Sequence, residues 1–407
     1  MRVLVFGTYD AAMHPRVATV AEGLRASGVE VTECNAPLGL DTAGRVAMLT
    51  QPWRVAGLLV RIARCWTVLA RAARGAPRPD AVLVGYLGHF DVHLARLIFR
   101  RVPVLLDHLI GASDTARDRR AGGGVRGALL TLIDSAALRA ADVILVDTEE
   151  HLAALPERHR PRGVVVPVGA PTAWSFPGAQ PEPGFGGGEH RPGGTPGAQP
   201  EPGPLRVVFY GLYTPLQGTP VIGAALAALA GSGIRVTMIG TGQDAAEARH
   251  AAAANPDVRW LDWVPAAELP GLVAAHDVCL GIFGTGPKAR RVVPNKVFQG
   301  AAAGCAIITS DTPPQRRALG DAAVLVPPGD PDALAGALRR LAGDRAELDR
   351  LRERAGRLAR ERFSPTRIVA PLLDRLSAVL GERAGDRRDH SPAVATAGGD
   401  TDEGLSR

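Results

Sequence analysis

The feature that most constrains this chain is an alternation of short apolar stretches with longer helical ones, run through twice. In the first half the strand candidates are Val3–Phe6, Val29–Thr32, Ala81–Val84, Val102–Leu106, Val143–Val146 and Gly163–Val166. Helix candidates lie between them, among them Arg16–Ala26, Val92–Arg100 and Val125–Ala140. In the second half the strand candidates are Arg206–Tyr210, Arg235–Ile239, Val278–Ile282, Ala306–Thr309 and Ala323–Val326. The helix candidates there are Val221–Ala230, Lys296–Ala303 and Pro331–Leu341. Strands that are nearly continuously apolar, each followed by a helix, predict parallel sheets covered on both faces. The expected fold class is therefore α/β, with two doubly wound, Rossmann-like domains facing a cleft.

Residues 171–204 separate the halves and contain the octapeptide PGAQPEPG twice, at 177–184 and 196–203. A Pro/Gly-rich stretch without apolar periodicity buries too little to offset the entropy of ordering, so it reads as a linker. The expected organisation is a first domain over 1–170, the linker over 171–204, a second domain over 205–381 ending in a helix, and a disordered polar tail over 382–407.

The formal net charge of +6 is small for this length and suits an anionic small ligand or a membrane surface, not nucleic acid. Four widely spaced cysteines (Cys34, Cys65, Cys279, Cys305) argue against a disulfide framework or a zinc finger and fit a reducing cytoplasm. Only VLVF separates Arg2 from Gly7, which is a strand and not the apolar core of a signal peptide. Trp53–Arg74 is the longest membrane candidate, but arginines at 54, 61, 64, 71 and 74 prevent it from spanning. Their spacing puts all five on one helical face, with Trp53, Leu58, Leu59, Ile62, Trp66 and Leu69 over much of the remainder. Two readings stand: a peripheral contact with an anionic membrane at its cytoplasmic face, or an ordinary surface helix with a solvated arginine face.

Ligands of doubly wound sheets bind beyond the carboxyl ends of the strands, so the residues that follow each strand are the candidates. Gly7 follows the first strand and lets the backbone approach a ligand closely, or simply makes a tight turn. His89 and His93 follow the third strand with Asp91 between them, but no third ligand is set by spacing; no metal is expected. Asp107 and His108 follow the fourth strand. A carboxylate and an imidazole there are costly unless paired or open to a cleft, so they are candidate catalytic or acceptor-orienting groups, or else a surface turn.

The most informative stretch is 281–309, GIFGTGPKARRVVPNKVFQGAAAGCAIIT. Lys288, Arg290, Arg291 and Lys296 fall there with no acid among them. Pro294 suits the first turn of a helix and Gly304 its C-terminal end. A basic loop entering a helix N-terminus directly after a strand combines dipole, free N–H groups and cationic side chains, a recipe for a diphosphate site. The plainer reading is a solvated basic loop.

Taken together, the opening RVLVFGTYD with HPRVATVAEGLRASGVEV, the first-half ending AADVILVDTEEHLAAL…VVVPVGA, and VVFYGLYTPLQG, IRVTMIGTGQ and PNKVFQGAAAGCAIITSD…AAVLVPPGDPDAL in the second half resemble family-4 glycosyltransferases of the GT-B type. The resemblance runs over most of residues 1–381. It implies a GT-B fold, a nucleotide-sugar donor and retaining transfer to a sugar or lipid-linked acceptor. Gly211 and Gly218 match the family's second-domain opening, but Leu212 and Gln217 stand at its usual Arg and Lys positions. The family's glutamate pair becomes Arg291 and Gln299. A subset with an F-G…K…R…P-N-K-V-[FY]-Q pattern is similar to this chain; there Lys288, Arg291 and Lys296 replace the missing cations and Gln299 a sugar-binding glutamate. His108 stands about where the family has a cleft histidine. The implied donor-binding set is Gly211, Lys288, Arg291, Asn295, Lys296 and Gln299, with no cofactor and no metal. The alternatives are a non-catalytic relative acting as a binding or partner subunit, and a GT-B sugar-nucleotide epimerase.

Overall fold

The computed structural model describes residues 1–10, 15–39, 53–75, 77–85, 88–109, 111, 124–175 and 203–389. The paired octapeptides lie almost wholly outside the described residues, as does the tail beyond 389. The first sheet contains β1 (Arg2–Gly7), β2 (Glu30–Asn35), β3 (Ala81–Val84), β4 (Val104–Asp107), β5 (Val143–Val146) and β6 (Gly163–Val165), in the order β2-β1-β3-β4-β5-β6. The second contains β7 (Arg206–Tyr210), β8 (Arg235–Ile239), β9 (Val258–Leu261), β10 (Val278–Leu280), β11 (Ala306–Ser310) and β12 (Ala323–Val326), in the order β12-β11-β10-β7-β8-β9. Neighbouring strands pair in parallel in both sheets. The strand order reverses between β1 and β3, and again between β7 and β10. These are the switch points at which such sheets open a crevice.

Helices cover both faces of the first sheet. Helices α1 (Arg16–Ala26), α2 (Trp53–Gly75), α3 (Asp91–Ile98), α4 (Gly124–Ala140) and α5 (Glu149–Ala154) follow in chain order. Leu69 and Ala73 of α2, Val92 and Ala95 of α3, and Ala137 and Leu138 of α4 share a core with Leu4, Phe6, Val82, Val84, Leu106 and Ile144. The three helices therefore form one layer. Most of the apolar side of α2 is its core side: Ile62 and Leu69 are buried and Trp66 donates to Asp91 Oδ1 at 2.9 Å, whereas Leu59 stays exposed and the side chain of Trp53 lies outside those described. Arg61, Arg64, Arg71 and Arg74 point to solvent.

The second domain adds α6 (Thr219–Ala228), α7 (Ala245–Ala251), α8 (Leu269–Ala274), α9 (Asn295–Ala302), α10 (Pro313–Leu319), α11 (Pro331–Gly343) and α12 (Arg345–Leu358). The last helix, α13 (Pro365–Asp389), leaves it and returns to the first domain. Ile368, Val369, Leu372, Leu376 and Val379 of α13 pack with Val17, Val20 and Leu24 of α1 and the opposite face of the first sheet. The crossing is close: a Cβ on Gly23 would sit 2.1 Å from the Pro365 carbonyl oxygen.

Several bounds shift by a few residues, and three differences from expectation are larger in consequence. Strand β9, with sequence VRWL, was not anticipated; it is a half-exposed edge strand that carries the exposed Arg259, so its alternation is weak. Strand β10 ends at Leu280, where the chain turns toward the crevice. Helix α13 continues through 382–389, where a disordered tail was expected; Glu, Arg and Ala in that segment are good helix formers. Among the described residues no helix is long and apolar enough to cross a membrane.

Candidate functional site

The crevice of the second domain is bounded by residues 211–218 after β7 and residues 281–294 after β10. The two loops are joined by a 2.9 Å bond from the Phe283 amide to the Gln217 carbonyl. Helix α9 begins directly after Pro294, which places Lys296 in its first turn. Lys296 is 4% exposed, and its Nζ donates to Gln217 Oε1 and sits 3.8 Å from the centre of the Phe209 ring. Gly211 takes φ of +138°, and a Cβ there would lie 3.3 Å from that ammonium. The glycine thus leaves room for the lysine beside the end of β7. No carboxylate pairs with Lys296 among the described residues, and burial pushes its pKa down to about 7. A buried cation without an anionic partner, at the mouth of a crevice, is a place where an anion gains most. Gln217, at the position where the resembled family carries a lysine, tethers a lysine supplied by α9.

The other members of the expected set take distinct places. Lys288 is buried in the same loop. Arg291 is half-buried, its Nε donating to the Pro287 carbonyl at 3.3 Å, whereas Arg290 is exposed. Asn295 is half-buried at the start of α9. Gln299 lies deeper in the domain. It is 5% exposed, and its carbonyl oxygen accepts from the Tyr210 hydroxyl at 2.9 Å, beneath the stacked ring of Trp174. One turn deeper along α9, its carbonyl oxygen satisfies a buried hydroxyl.

At the first sheet two expectations change. Gly7 does not hold open a ligand space: a Cβ there would meet Asp91 Oδ2 at 3.1 Å. That oxygen accepts from the amide and hydroxyl of Thr8, at 2.7 and 2.8 Å. Asp107 is committed to Arg16, whose Nε donates to Oδ1 at 2.8 Å with both side chains almost wholly buried. Burial raises the pKa of Asp107 against the pull of this guanidinium. An internal ion pair is its physical role, because neither charge survives burial alone. The sequence reading missed Arg16, whose local signal was only a basic residue opening a helix.

His108 is half-buried. Its ring lies edge-on to His89 with centroids 5.5 Å apart, and its buried Nδ1 has no hydrogen-bond partner among the described residues. Burial, reinforced by the His89 and His151 imidazoles, pushes its pKa down to about 3. It is therefore a neutral imidazole at physiological pH. His89 lies 3.1 Å from Asp134 of α4, and His151 of α5 bonds Asp147 just past β5. These histidines gather at the carboxyl ends of β3 to β5, but no metal-holding group of three or more His, Cys, Asp or Glu occurs among the described residues.

The two domains touch at α5. Thr148 caps that helix, accepting from the His151 amide, and its hydroxyl donates to the Arg291 carbonyl at 2.7 Å. Two residues on, Glu150 receives both terminal nitrogens of Arg317 at 2.9 and 3.0 Å. The basic loop of one domain is thus anchored on the strand ends of the other.

Known structures resemble most of the chain. Sucrose-phosphate synthase from Thermosynechococcus elongatus superposes with a TM-score of 0.64 at 15% identity, covering 96% of this chain and 100% of that one. HepE from Anabaena, solved in complex with UDP and glucose, gives 0.62 at 14% identity over 93% and 100%. A glycosyltransferase from Rickettsia africae gives 0.59 at 12% identity over 93% and 98%. At such identities the likeness is one of fold, and the fold is GT-B. No curated protein matches the chain in sequence. Residues 204–344, the second domain through the end of α11, match the family model of the glycosyl transferases group 1.

Proposed function

We propose that the protein is a retaining glycosyltransferase that moves a sugar from a nucleoside-diphosphate donor to a hydroxyl of a sugar or lipid-linked acceptor. The observation that carries this is Lys296, a buried ammonium without a carboxylate partner, in the crevice of the domain that matches the glycosyl transferases group 1. The HepE structure with UDP and glucose supports UDP as the first donor base to try. Lys296, Lys288, Arg291 and the free N–H groups at Asn295 neutralise the charge that grows on the departing diphosphate. Stabilising that charge is usually the largest catalytic contribution. This chemistry takes no cofactor and no metal, since the chain's own cations fill that role.

His108 lies in the opposite domain and, as a neutral imidazole, orients the acceptor hydroxyl or the donor sugar. Contacts such as Thr148 with Arg291 bring the domains together, which excludes water and limits donor hydrolysis. The buried or half-buried free cysteines support a cytoplasmic setting. The internal engagement of Asp107 and Gln299 favours a second reading, a non-catalytic binding subunit of the same fold.

Thermal unfolding with UDP, GDP, ADP and TDP tests the proposal. A ligand at 100 times its dissociation constant adds about 2.7 kcal/mol. One of the four should stabilise the wild type but not Lys296→Ala, while His108→Ala should keep nucleotide binding and lose transfer. Release of free nucleotide only with an acceptor present separates transfer from epimerisation. Binding without any turnover supports the subunit reading, and the absence of binding by all four removes both.

A further inference from the structure

We propose that the outer face of the α2–α3–α4 layer is a docking surface for an anionic lipid bilayer. Amphipathicity of α2 does not carry this, because its apolar side packs on the sheet. The argument comes from what the three helices leave outside. Leu59, Val60 and Val68 of α2, Leu97 of α3, and Leu129 and Leu132 of α4 are each 52–62% exposed. All the large apolar side chains left exposed among the described residues lie on these helices or at the start of α3, except Met1, Leu212 and Trp263. Isolated exposed leucines need no explanation, but a group on three adjacent helices of one layer marks an interaction surface.

The charge on that face decides the occupant. Arg61, Arg64, Arg71 and Arg74 of α2 and Arg139 of α4 are exposed. The only carboxylates on the three helices, Asp91 and Asp134, are buried. On α2, Val60, Arg64, Val68 and Arg71 follow one another along a single stripe, so apolar and cationic groups reach the same plane. Apolar side chains interleaved with arginines that no carboxylate among the described residues pairs with suit the boundary between acyl chains and anionic headgroups. A second copy of the chain fits poorly. A two-fold contact would bring this face against itself, arginines against arginines. The inference does not rest on the proposed transfer reaction, because the donor crevice lies in the other domain.

Vesicle sedimentation of the full chain tests it. Binding is expected to vesicles of phosphatidylcholine mixed with phosphatidylglycerol, not to phosphatidylcholine alone, and is expected to weaken with salt. Arg64→Ala and Arg71→Ala should each lower partitioning about fivefold. Leu97→Glu and Leu132→Glu, on the neighbouring helices, should lower it at least as far, which a surface made by α2 alone would not show. All four side chains are exposed, and unchanged melting temperatures together with unchanged stabilisation by the nucleotide that binds the wild type confirm folding. Equal binding to both vesicle types, no binding, or indifference to the α3 and α4 changes overturns the proposal. A concentration-dependent dimer by light scattering, dissolved by those same changes, overturns it in favour of a self-interface. Absence of nucleotide binding by the wild type would instead refute the donor reading and leave this one standing, with unchanged melting temperatures as the folding control.

Discussion

The Thr148 hydroxyl donates a 2.7 Å bond to the carbonyl of Arg291, so the cap of a first-domain helix holds the basic loop of the second domain. The same oxygen accepts from the His151 amide, which ties the contact to the start of α5. Thr148→Val keeps the shape and removes both bonds. It should destabilise the protein by about 1–2 kcal/mol, combining a lost cap with a lost hydrogen bond. Thr148→Ser should behave like the wild type. Denaturant unfolding of the two variants checks this, and equal stability of Val and wild type would show that the contact contributes nothing.

Arg290 and Arg291 are adjacent in sequence but differ in placement, the first exposed and the second half-buried beside Thr148. Arg291→Ala should weaken nucleoside-diphosphate binding about tenfold or more, the worth of a charge-assisted bond. Arg290→Ala should change it less than about twofold, as exposed charges do. Equal losses, measured by calorimetry, would mean a diffuse basic patch.

Lys296 predicts a pH dependence with a definite sign. Its folded pKa is about 7, against an ordinary 10.5. Between those values the unfolded chain binds more protons, so this group makes the fold more stable as pH rises through the window. A diphosphate requires the charged lysine and acts in the opposite direction. Its affinity should fall about tenfold per pH unit above pH 7, and binding should take up a proton. Calorimetry in Tris and in Hepes at pH 8 should therefore give different apparent enthalpies. Lys296→Met should bind more weakly, with the difference between buffers removed.

The Arg16–Asp107 pair is nearly inaccessible to solvent. Asp107→Ala or Arg16→Ala should cost about 3–5 kcal/mol, because each strands a buried charge. The apolar double replacement Arg16→Met/Asp107→Leu should recover most of that loss. Thermal unfolding distinguishes this from an acceptor role, in which the single variants would keep their stability and lose only transfer.

What could be read in advance was whatever local pattern dictates. The strands Ala81–Val84 and Val143–Val146, the helix Arg16–Ala26, and the entry into α9 after Pro294 all follow from apolar runs and capping residues a few positions apart. The contacts that build the candidate site are of another kind. Lys296 meets Gln217, Asp107 meets Arg16, and Gln299 turns toward Tyr210 across long stretches of chain. Periodicity says nothing about such pairs. It also could not separate the two sides of α2, where Ile62 and Leu69 enter the core but Leu59 stays outside and the arginine stripe keeps valines of its own.

The return of α13 to the first domain sets the order of events during synthesis. Ile368, Val369 and Leu372 complete a core whose other members, from Val3 to Val166, are all made before the second domain. Domains ordinarily fold as they leave the ribosome, at about 5–20 residues per second. Here the amino-terminal domain must wait, with one face of its sheet and α1 unsealed, until the entire second domain has been made. A nascent chain stalled before Pro365 should therefore expose apolar surface and recruit chaperones, and a gene fragment ending at residue 175 should yield insoluble protein unless the last helix is supplied with it.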